Sequence, residues 1–268
     1  MKKITALILA TLMLLTSVSA LADGVLRVGM ECNYAPFNWT QAEPGEYTVP
    51  IEGGAGYADG YDVQIARKIA EGLGKELVIV KTEWDGLPMG VMTGAFDAII
   101  AGMSPTAERK ATIDFSDSYY TSQLVVVVRK DSAYAQAASL SDLSGAMITG
   151  QLNTFHYSVI NQIPGVNQAM AMETFPAMIV ALRSGAIDGY VAEEPGAVAD
   201  TTANPDLTYI KFADGMGFEA SEEDTSIAVG LAKGSELCAP INEILAGLDT
   251  ETRLQMMLDA TDRQPLNQ

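Results

Sequence analysis

The chain has 268 residues, of which 48% are hydrophobic, so it can build a packed core or two compact domains and is not expected to be disordered. The 16 Lys and Arg residues against 34 Asp and Glu give a formal charge of −18, which argues against partners that are nucleic acids or anionic membranes. One histidine, His156, and two cysteines, Cys32 and Cys238, are too few for a zinc site or a disulfide framework, although pairing of the two cysteines stays open. We therefore predict no metal or other cofactor.

The first segment of the chain has the pattern of a targeting signal. Lys2 and Lys3 precede an apolar run over residues 4–15, and Ala22 closes a small-x-small cleavage pattern. The apolar run is too short to span a membrane, and no later stretch approaches the ~18 apolar residues that a span needs. We predict a signal peptide over residues 1–22, cleaved after about Ala22, and a periplasmic or extracellular location.

Strands and helices alternate along the rest of the chain, which favours α/β layers with largely parallel sheets. Predicted strands cover 25–30, 77–80, 96–101, 123–129 and 187–192, and predicted helices cover 62–73 and 174–184. Residues 41–59 are rich in Gly and Pro and are predicted to form a long surface loop, or a hairpin around 47–51.

Two segments of the chain resemble each other. Residues 94–101 (GAFDAIIA) and 185–192 (GAIDGYVA) both follow a helical pattern and predict a tight turn leading into a strand. This echo indicates two lobes of similar construction. Because ligands of open α/β sheets bind beyond the carboxyl ends of strands, two such lobes would form a ligand cleft between them.

The residues that follow the two echoed strands suggest what the cleft binds. Ser104, Thr106 and Arg109 follow the first strand and suit a carboxylate, since a guanidinium grips one through two parallel hydrogen bonds. Glu193 follows the second strand and would accept an ammonium group. Together these groups describe a site for an α-amino acid.

The residue pattern alone leaves a second interpretation open. Arg109 can equally be a surface residue paired with Glu108 or Asp114, and Glu193 can be a solvated carboxylate of a loop.

Several separated motifs resemble, in the right order, the polar amino-acid-binding proteins of ABC importers, the periplasmic solute-binding protein family 3. They are YAPF at 34–37, GYDV at 60–63, AGMSPTAER at 101–109 with DFSDSYY at 114–120, QLNT at 151–154 and IDGYVAEEP at 187–195. The match at 151–154 is weaker, because the family usually has Gly where Asn153 stands. The resemblance covers essentially all of the chain after the signal peptide.

The resemblance implies the two-lobe, periplasmic-binding-protein type II fold, which is α/β with a ligand cleft between lobes joined by two crossovers. Lobe 1 would comprise residues 23–121 and 225–268, and lobe 2 would comprise residues 122–224. The implied function is capture of a free amino acid by lobe closure and its delivery to the membrane permease of an ABC importer. We expect a monomer that does not bind nucleic acid.

The resemblance also implies roles for individual residues. Arg109 would bind the α-carboxylate, helped by Ser104 and by backbone N–H groups near Gly102 and Thr154, and Glu193 would bind the ammonium group. Thr154 is expected to start a helix, whose N-terminus suits an anion. The remaining expected ligand contacts of this half of the site are Met103, Thr106 and Asn153.

Further residues match positions that hold the ligand side chain in this family. Tyr34 and Trp84 would sandwich it, with ordinary core packing as the alternative. Glu31 would meet its far end, and Asp62 would do the same or cap a helix. Two acids and two aromatic rings favour a cation, so we expect lysine or arginine, while glutamine stays open.

Two other classes of function stay open. A secreted, dehydratase-like enzyme would need a general acid or base in the cleft, and Glu193 is a candidate; His156 is expected to be structural or exposed. No G-x-S-x-G, H-E-x-x-H or phosphate-loop motif occurs, so we expect no enzyme activity. The other class is a sensory protein that presents its ligand to a separate receptor.

Overall fold

A computed structural model describes residues 24–54 and 56–265. The predicted signal peptide, residues 1–22, lies outside the described residues. Within them, every helix falls short of the length and apolar character that crossing a membrane requires.

The described residues form three sheets with helices packed around them. The strands are β1 Val25–Met30, β2 Asn33–Tyr34, β3 Asn38–Gln41, β4 Val49–Pro50, β5 Tyr57–Asp59, β6 Glu76–Lys81, β7 Ala98–Ile99, β8 Asp114–Thr121, β9 Leu124–Arg129, β10 Met147–Thr149, β11 Asn167–Gln168, β12 Gly189–Glu193, β13 Leu207–Ile210 and β14 Ser226–Leu231. The α-helices are Tyr61–Gly72, Leu87–Thr93, Ala107–Lys110, Phe155–Ser158, Phe175–Arg183, Glu194–Ala203, Glu222–Thr225, Cys238–Ala246 and Thr250–Arg263.

Two of the sheets have five strands and the same topology. The first has the order β6-β1-β7-β14-β8, and the second has the order β11-β10-β12-β9-β13. Both are mixed: β1 pairs in parallel with β6 and β7, and β10 pairs in parallel with β11 and β12. These sheets form the cores of two lobes, which confirms the fold class expected from the sequence. The exact lobe boundaries stay a prediction.

The expectation of largely parallel sheets is wrong, because β9 and β14 run antiparallel to both neighbours. Each of these strands enters its sheet from a crossover between the lobes. Leu124, the first residue of β9, therefore pairs with Glu193, the last residue of β12. Likewise Ser226 begins β14 opposite Thr121, which ends β8.

The two crossovers lie side by side. The first is the short connection from β8 to β9, and the second brings the chain back from β13 to β14. The backbone N–H of Ser122 in the first donates to the carbonyl of Thr225 in the second, at 2.9 Å. Hydrogen bonds of the β8–β14 pair continue directly from this contact.

The echoed segments occupy equivalent places in the two lobes. Gly94 ends the helix Leu87–Thr93 with φ of +75°, and Gly185 follows the helix Phe175–Arg183 with φ of +78°. This left-handed conformation favours glycine, which explains why both segments begin with it.

Both echoed segments contain an aspartate, and it has the same role in each lobe. The Asp97 carboxylate accepts a hydrogen bond from the backbone N–H of Arg27 at 2.8 Å, and that of Asp188 accepts one from the N–H of Met147 at 2.9 Å. Arg27 lies in β1 and Met147 in β10, the strands to which the echoed segments are parallel. Each aspartate therefore fastens the turn to the adjacent strand.

The predicted surface loop at 41–59 is wrong in part, because Gln41, Val49–Pro50 and Tyr57–Asp59 belong to the third sheet, ordered β2-β3-β5-β4. Trp39 is fully buried beneath it, and Ile51 is buried and bridges to Ile79 of β6. Pro50 lies in β4, which is an edge strand and therefore tolerates a residue without an N–H.

The two cysteines do not form a disulfide. Cys32 is a buried free thiol and Cys238 a half-buried one. Burial raises the pKa of Cys32 to about 12, so this thiol is unreactive at neutral pH.

Replacing Asp97 by Ala should lower the free energy of unfolding by about 1 kcal/mol, because the N–H of Arg27 loses its acceptor. Urea denaturation measures this change. Asp117→Ala is the matched control, since its exposed carboxylate has no hydrogen bond or ion pair with the described residues. Equal stability of the two variants would contradict the role assigned to Asp97.

Candidate ligand-binding cleft

A small closed cavity lies where the two lobes meet. Its volume is about 10 Å³, which is room for about one water molecule. Its lining consists of Tyr34, Trp84, Gly102, Ser104, Arg109, Gln151, Thr154, Phe155, His156 and Glu193. These residues come from both halves of the chain, so the cavity is the interior of a cleft in a closed conformation.

Arg109 supplies a positive charge to this cavity. Its Nη1 donates to the carbonyl of Ser104 at 2.9 Å, and its Nη2 donates across the cleft to the carbonyl of Asn153 at 3.1 Å. The guanidinium carbon lies 5.0 Å from the centroid of the Trp84 ring. Burial lowers the pKa of Arg109 to about 10, while the charge of Glu193 partly offsets this effect.

No carboxylate of the described residues forms an ion pair with Arg109, and Asp114 is instead paired with Lys233 at 2.8 Å. The alternative in which Arg109 is a surface residue paired with Glu108 or Asp114 is therefore wrong. A half-buried cation without an ion-pair partner favours the approach of an anion.

Glu193 supplies the opposite charge. It ends β12, is only 4% exposed, and accepts hydrogen bonds from His156 Nε2 at 2.8 Å and from the Tyr34 hydroxyl. Burial raises the pKa of Glu193, but the charge and hydrogen bond of His156 and the hydrogen bond of Tyr34 outweigh it, so the net pKa is lowered. The alternative of a solvated loop carboxylate is wrong.

His156 is buried, so of the two expectations for it, structural or exposed, the exposed one is wrong. It lies in the short helix Phe155–Ser158, one residue after Phe155, on the cavity wall. The main chain of this helix lies so close to Gly150 that a Cβ there would come within 2.9 Å of the His156 carbonyl carbon. This close packing holds the imidazole in position.

Tyr34 is held between aromatic rings of both lobes. Its ring stacks on Phe175 with centroids 4.3 Å apart and on Phe37 with centroids 5.0 Å apart. Trp84 lines the same cavity but faces the Arg109 guanidinium. In this closed conformation the two rings predicted to sandwich a ligand side chain therefore have other partners.

Glu31 lies beside the cavity and bridges the lobes. Its two carboxylate oxygens are 3.2 and 3.3 Å from Nε2 of Gln151. Burial raises the pKa of Glu31 to about 7; the Gln151 hydrogen bond opposes this, and the like charges of Glu83 and Asp85 add to it. An adjoining space of about 180 Å³ is lined by Glu83, Trp84, Asp85, Leu152 and Glu173.

Asp62 does not line the cavity. Its carboxylate is fully buried and accepts hydrogen bonds from Asn38 Nδ2 at 2.8 Å and from the Tyr119 hydroxyl at 2.7 Å. It makes no capping hydrogen bond, since the helix Tyr61–Gly72 begins after Gly60 without a side-chain cap. Both roles expected for Asp62 are therefore absent here, and burial raises its pKa to about 6.

Three of the residues predicted to contact the ligand do not line the closed cavity. Met103, Thr106 and Asn153 line a wider opening of about 660 Å³ next to the closed cavity. The Thr106 hydroxyl caps the helix Ala107–Lys110 by accepting from the N–H of Arg109. Asn153 has a φ of +55°, a conformation that asparagine tolerates better than most residues, and it donates to Asp85 across the cleft at 2.9 Å.

Gly102, Ser104 and Thr154 line the closed cavity itself. A Cβ on Gly102 would come within 3.1 Å of the Tyr34 ring. The absence of a side chain at position 102 therefore makes room for this ring. Thr154 precedes the expected helix, but this helix has only four residues and the Thr154 hydroxyl donates to Gln151. Its contribution to anion binding is therefore smaller than that of a long helix.

Sequence reasoning missed three residues of the cavity wall, Gln151, Phe155 and His156, and also Phe175, which stacks on Tyr34. Gln151 is the first residue of the weakest resembling motif, and Phe155 directly follows that motif. Phe175 directly follows the helix-capping Thr174, and this position at the start of a helix is the signal that could have placed it near the cleft.

Residues 26–260 match the family of bacterial extracellular solute-binding proteins, family 3. The chain therefore belongs to this family, which confirms the resemblance noted in the sequence. A relative named as a probable histidine-binding protein of Campylobacter jejuni is 30% identical over 195 residues, which is 72% of this chain and 70% of the relative.

Solved structures also resemble the fold. An amino acid ABC transporter substrate-binding protein, AbpA of Streptococcus pneumoniae, solved with L-arginine, has a TM-score of 0.75 and 25% identity, covering 89% of this chain and 95% of that one. The ancestral amino acid-binding protein AncCDT-1, a precursor of cyclohexadienyl dehydratase, has a TM-score of 0.72 and 26% identity, covering 89% and 96%.

Replacing Glu31 by Gln should change how stability depends on pH. A carboxyl group whose folded-state pKa is raised from 4.5 to about 7 binds a proton on folding, so the free energy of unfolding falls as the pH rises between these values. The variant should lose this fall and be more stable than the unaltered protein at pH 7.5, by about 3 kcal/mol.

Urea denaturation at pH 4.5 and 7.5 measures this difference. Glu236→Gln, at an exposed position, serves as the control. A parallel pH dependence in the Glu31 variant and the unaltered protein would contradict the raised pKa.

Proposed function

We propose that the protein captures a free amino acid in the cleft between its lobes and delivers it to the permease of an ABC importer. The observation that carries this proposal is the pair of opposite charges on the cavity wall. Arg109 lacks a carboxylate partner among the described residues, and Glu193 lies on the same wall. A zwitterion matches both charges, since its carboxylate pairs with the guanidinium and its ammonium group with the glutamate.

The acidic surroundings of Glu31 support a basic ligand, lysine or arginine. Glu83, Asp85 and Glu173 line the adjoining space with Trp84, and none of them forms an ion pair with the described residues. The positive end of a basic side chain would favour the charged form of Glu31, whose pKa is raised mainly by burial and further by the like charges of Glu83 and Asp85. The solved relative that holds L-arginine is consistent with this choice.

Isothermal calorimetry with lysine, arginine and glutamine tests the ligand class. We expect a basic amino acid to bind more tightly than glutamine, because glutamine brings no charge to the acidic group. Tight binding of glutamine without binding of lysine or arginine would contradict a basic ligand but not an amino-acid ligand. Native mass spectrometry of protein purified without refolding would weigh a retained ligand directly.

Replacing Arg109 by Gln should weaken binding of the amino acid at least about 100-fold, because two hydrogen bonds between opposite charges are lost. Calorimetry measures the loss, and circular dichroism checks the fold. Arg183→Gln is the matched control, since its exposed guanidinium is paired with Asp206 instead of facing the cleft. Undiminished binding by the Arg109 variant would contradict the carboxylate role.

A secreted enzyme is the second candidate, and the contact between Glu193 and His156 favours it. A buried carboxylate hydrogen-bonded to an imidazole can serve as a general acid or base. Turnover of an amino acid or of a prephenate-like acid, followed by chromatography, would favour this candidate. Recovery of the bound compound unchanged would favour binding.

The membrane partner that receives the ligand-loaded protein distinguishes a role in import from a role in sensing. We expect cross-linking of the ligand-loaded protein to membranes of its own source to recover an ABC permease. Recovery of a receptor instead would favour the sensory alternative. Location outside the cytoplasm, as a monomer, is part of the same proposal.

A further inference from the structure

The carboxylate proposed to bind the ligand ammonium already has two hydrogen-bond donors. One oxygen of Glu193 accepts from Nε2 of His156 at 2.8 Å, and the other accepts from the hydroxyl of Tyr34. Tyr34 belongs to the opposite lobe, so its contact depends on closure. His156 and Glu193 come from the same lobe and stay together when the lobes separate.

We propose that His156 is a specificity-determining residue, whose charge decides whether the cleft prefers a ligand with an α-ammonium group or a similar acid without one. This inference deepens the proposed function and rests on it. It concerns the one imidazole of the chain, which contacts the ammonium acceptor directly.

The two charge states of the imidazole change the charge that the ligand meets. A neutral imidazole donates its Nε2–H and leaves the full negative charge on Glu193, which suits an ammonium group. A protonated imidazole neutralises that charge, and Arg109 then gives the cavity a net positive charge. Such a cavity attracts a carboxylate but repels an ammonium group.

Opposing effects act on the charge of the imidazole. The side chains of His156 and Glu193 are only 10% and 5% exposed, so their charges interact with little screening by water. Nδ1 of His156 is buried and has no hydrogen-bond partner among the described residues. Protonation would add an unsatisfied N–H there, which opposes the attraction of Glu193. The approach of a ligand ammonium group then tips the balance to the neutral form.

The groups that face the imidazole leave Glu193 as its direct electrostatic partner. The uncharged ring of Phe175 is nearly perpendicular to the imidazole, with ring centroids 6.1 Å apart. The charged and titratable groups nearest to His156 are Glu193, Tyr34, which donates to the same carboxylate, and Arg109, which lines the same cavity. The charges of Asp62 and Asp200 act on Tyr34 and raise its pKa.

The test compares lysine with 6-aminohexanoate, which has the same carboxylate and terminal ammonium but lacks the α-ammonium group. The ratio of their dissociation constants cancels the effect of Glu31, since both carry the distal cation. Histidine is the side chain whose charge ordinarily changes between pH 5 and 8. We expect the preference for lysine, measured as this ratio, to fall about tenfold from pH 8 to pH 5.5. A tenfold change corresponds to about 1.4 kcal/mol of binding free energy.

His156→Gln provides the matched variant, because glutamine keeps a hydrogen-bond donor and similar volume but cannot become charged. Its preference for lysine should stay the same at both pH values. The same pH dependence in the variant and the unaltered protein would overturn the inference, as would an absence of pH dependence in both. If arginine is the tighter ligand, the same comparison uses arginine and 5-guanidinopentanoate. Failure of every amino acid to bind at either pH would overturn the proposed function itself.

Discussion

A half-buried guanidinium without a carboxylate ion-pair partner among the described residues is the constraint around which the cleft is arranged. Transfer of a charge into such a place is costly unless hydrogen bonds or an opposite charge accompany it. Arg109 has two backbone carbonyls, one from each lobe, and the face of Trp84. These contacts hold the cation in place, and the charge of Glu193, which forms no ion pair with it, compensates the cation only in part.

The general plan of the fold could be predicted from the sequence because its signals are local. The repeated Gly-Ala-x-Asp pattern predicted two similar lobes, and its glycines and aspartates have the same roles in both. The sheet at 33–59 escaped prediction because its strands have two to four residues, too few for a periodic pattern. Gly and Pro in this region mark its turns and an edge strand.

The site could be predicted only in part, because spacing along the chain does not reveal partners in space. Arg109 and Glu193 follow equivalent strands, and this placement brought both to the cavity. Asp62 looked equally suitable as an acid, but Asn38 and Tyr119 occupy its carboxylate. His156 lacked a local pattern, since its role follows from a contact with a residue 37 positions further along the chain.

The hydrogen bond between Ser122 and Thr225 joins the two connections into a narrow ribbon. Two separate tethers would let the halves of the molecule twist and slide as well as open. A ribbon bends far more easily across its flat face than within its plane, so the remaining movement is close to a single rotation. If the lobes open and close as we propose, the halves would part and meet again in the same register, which would return each wall of the binding site to its partner.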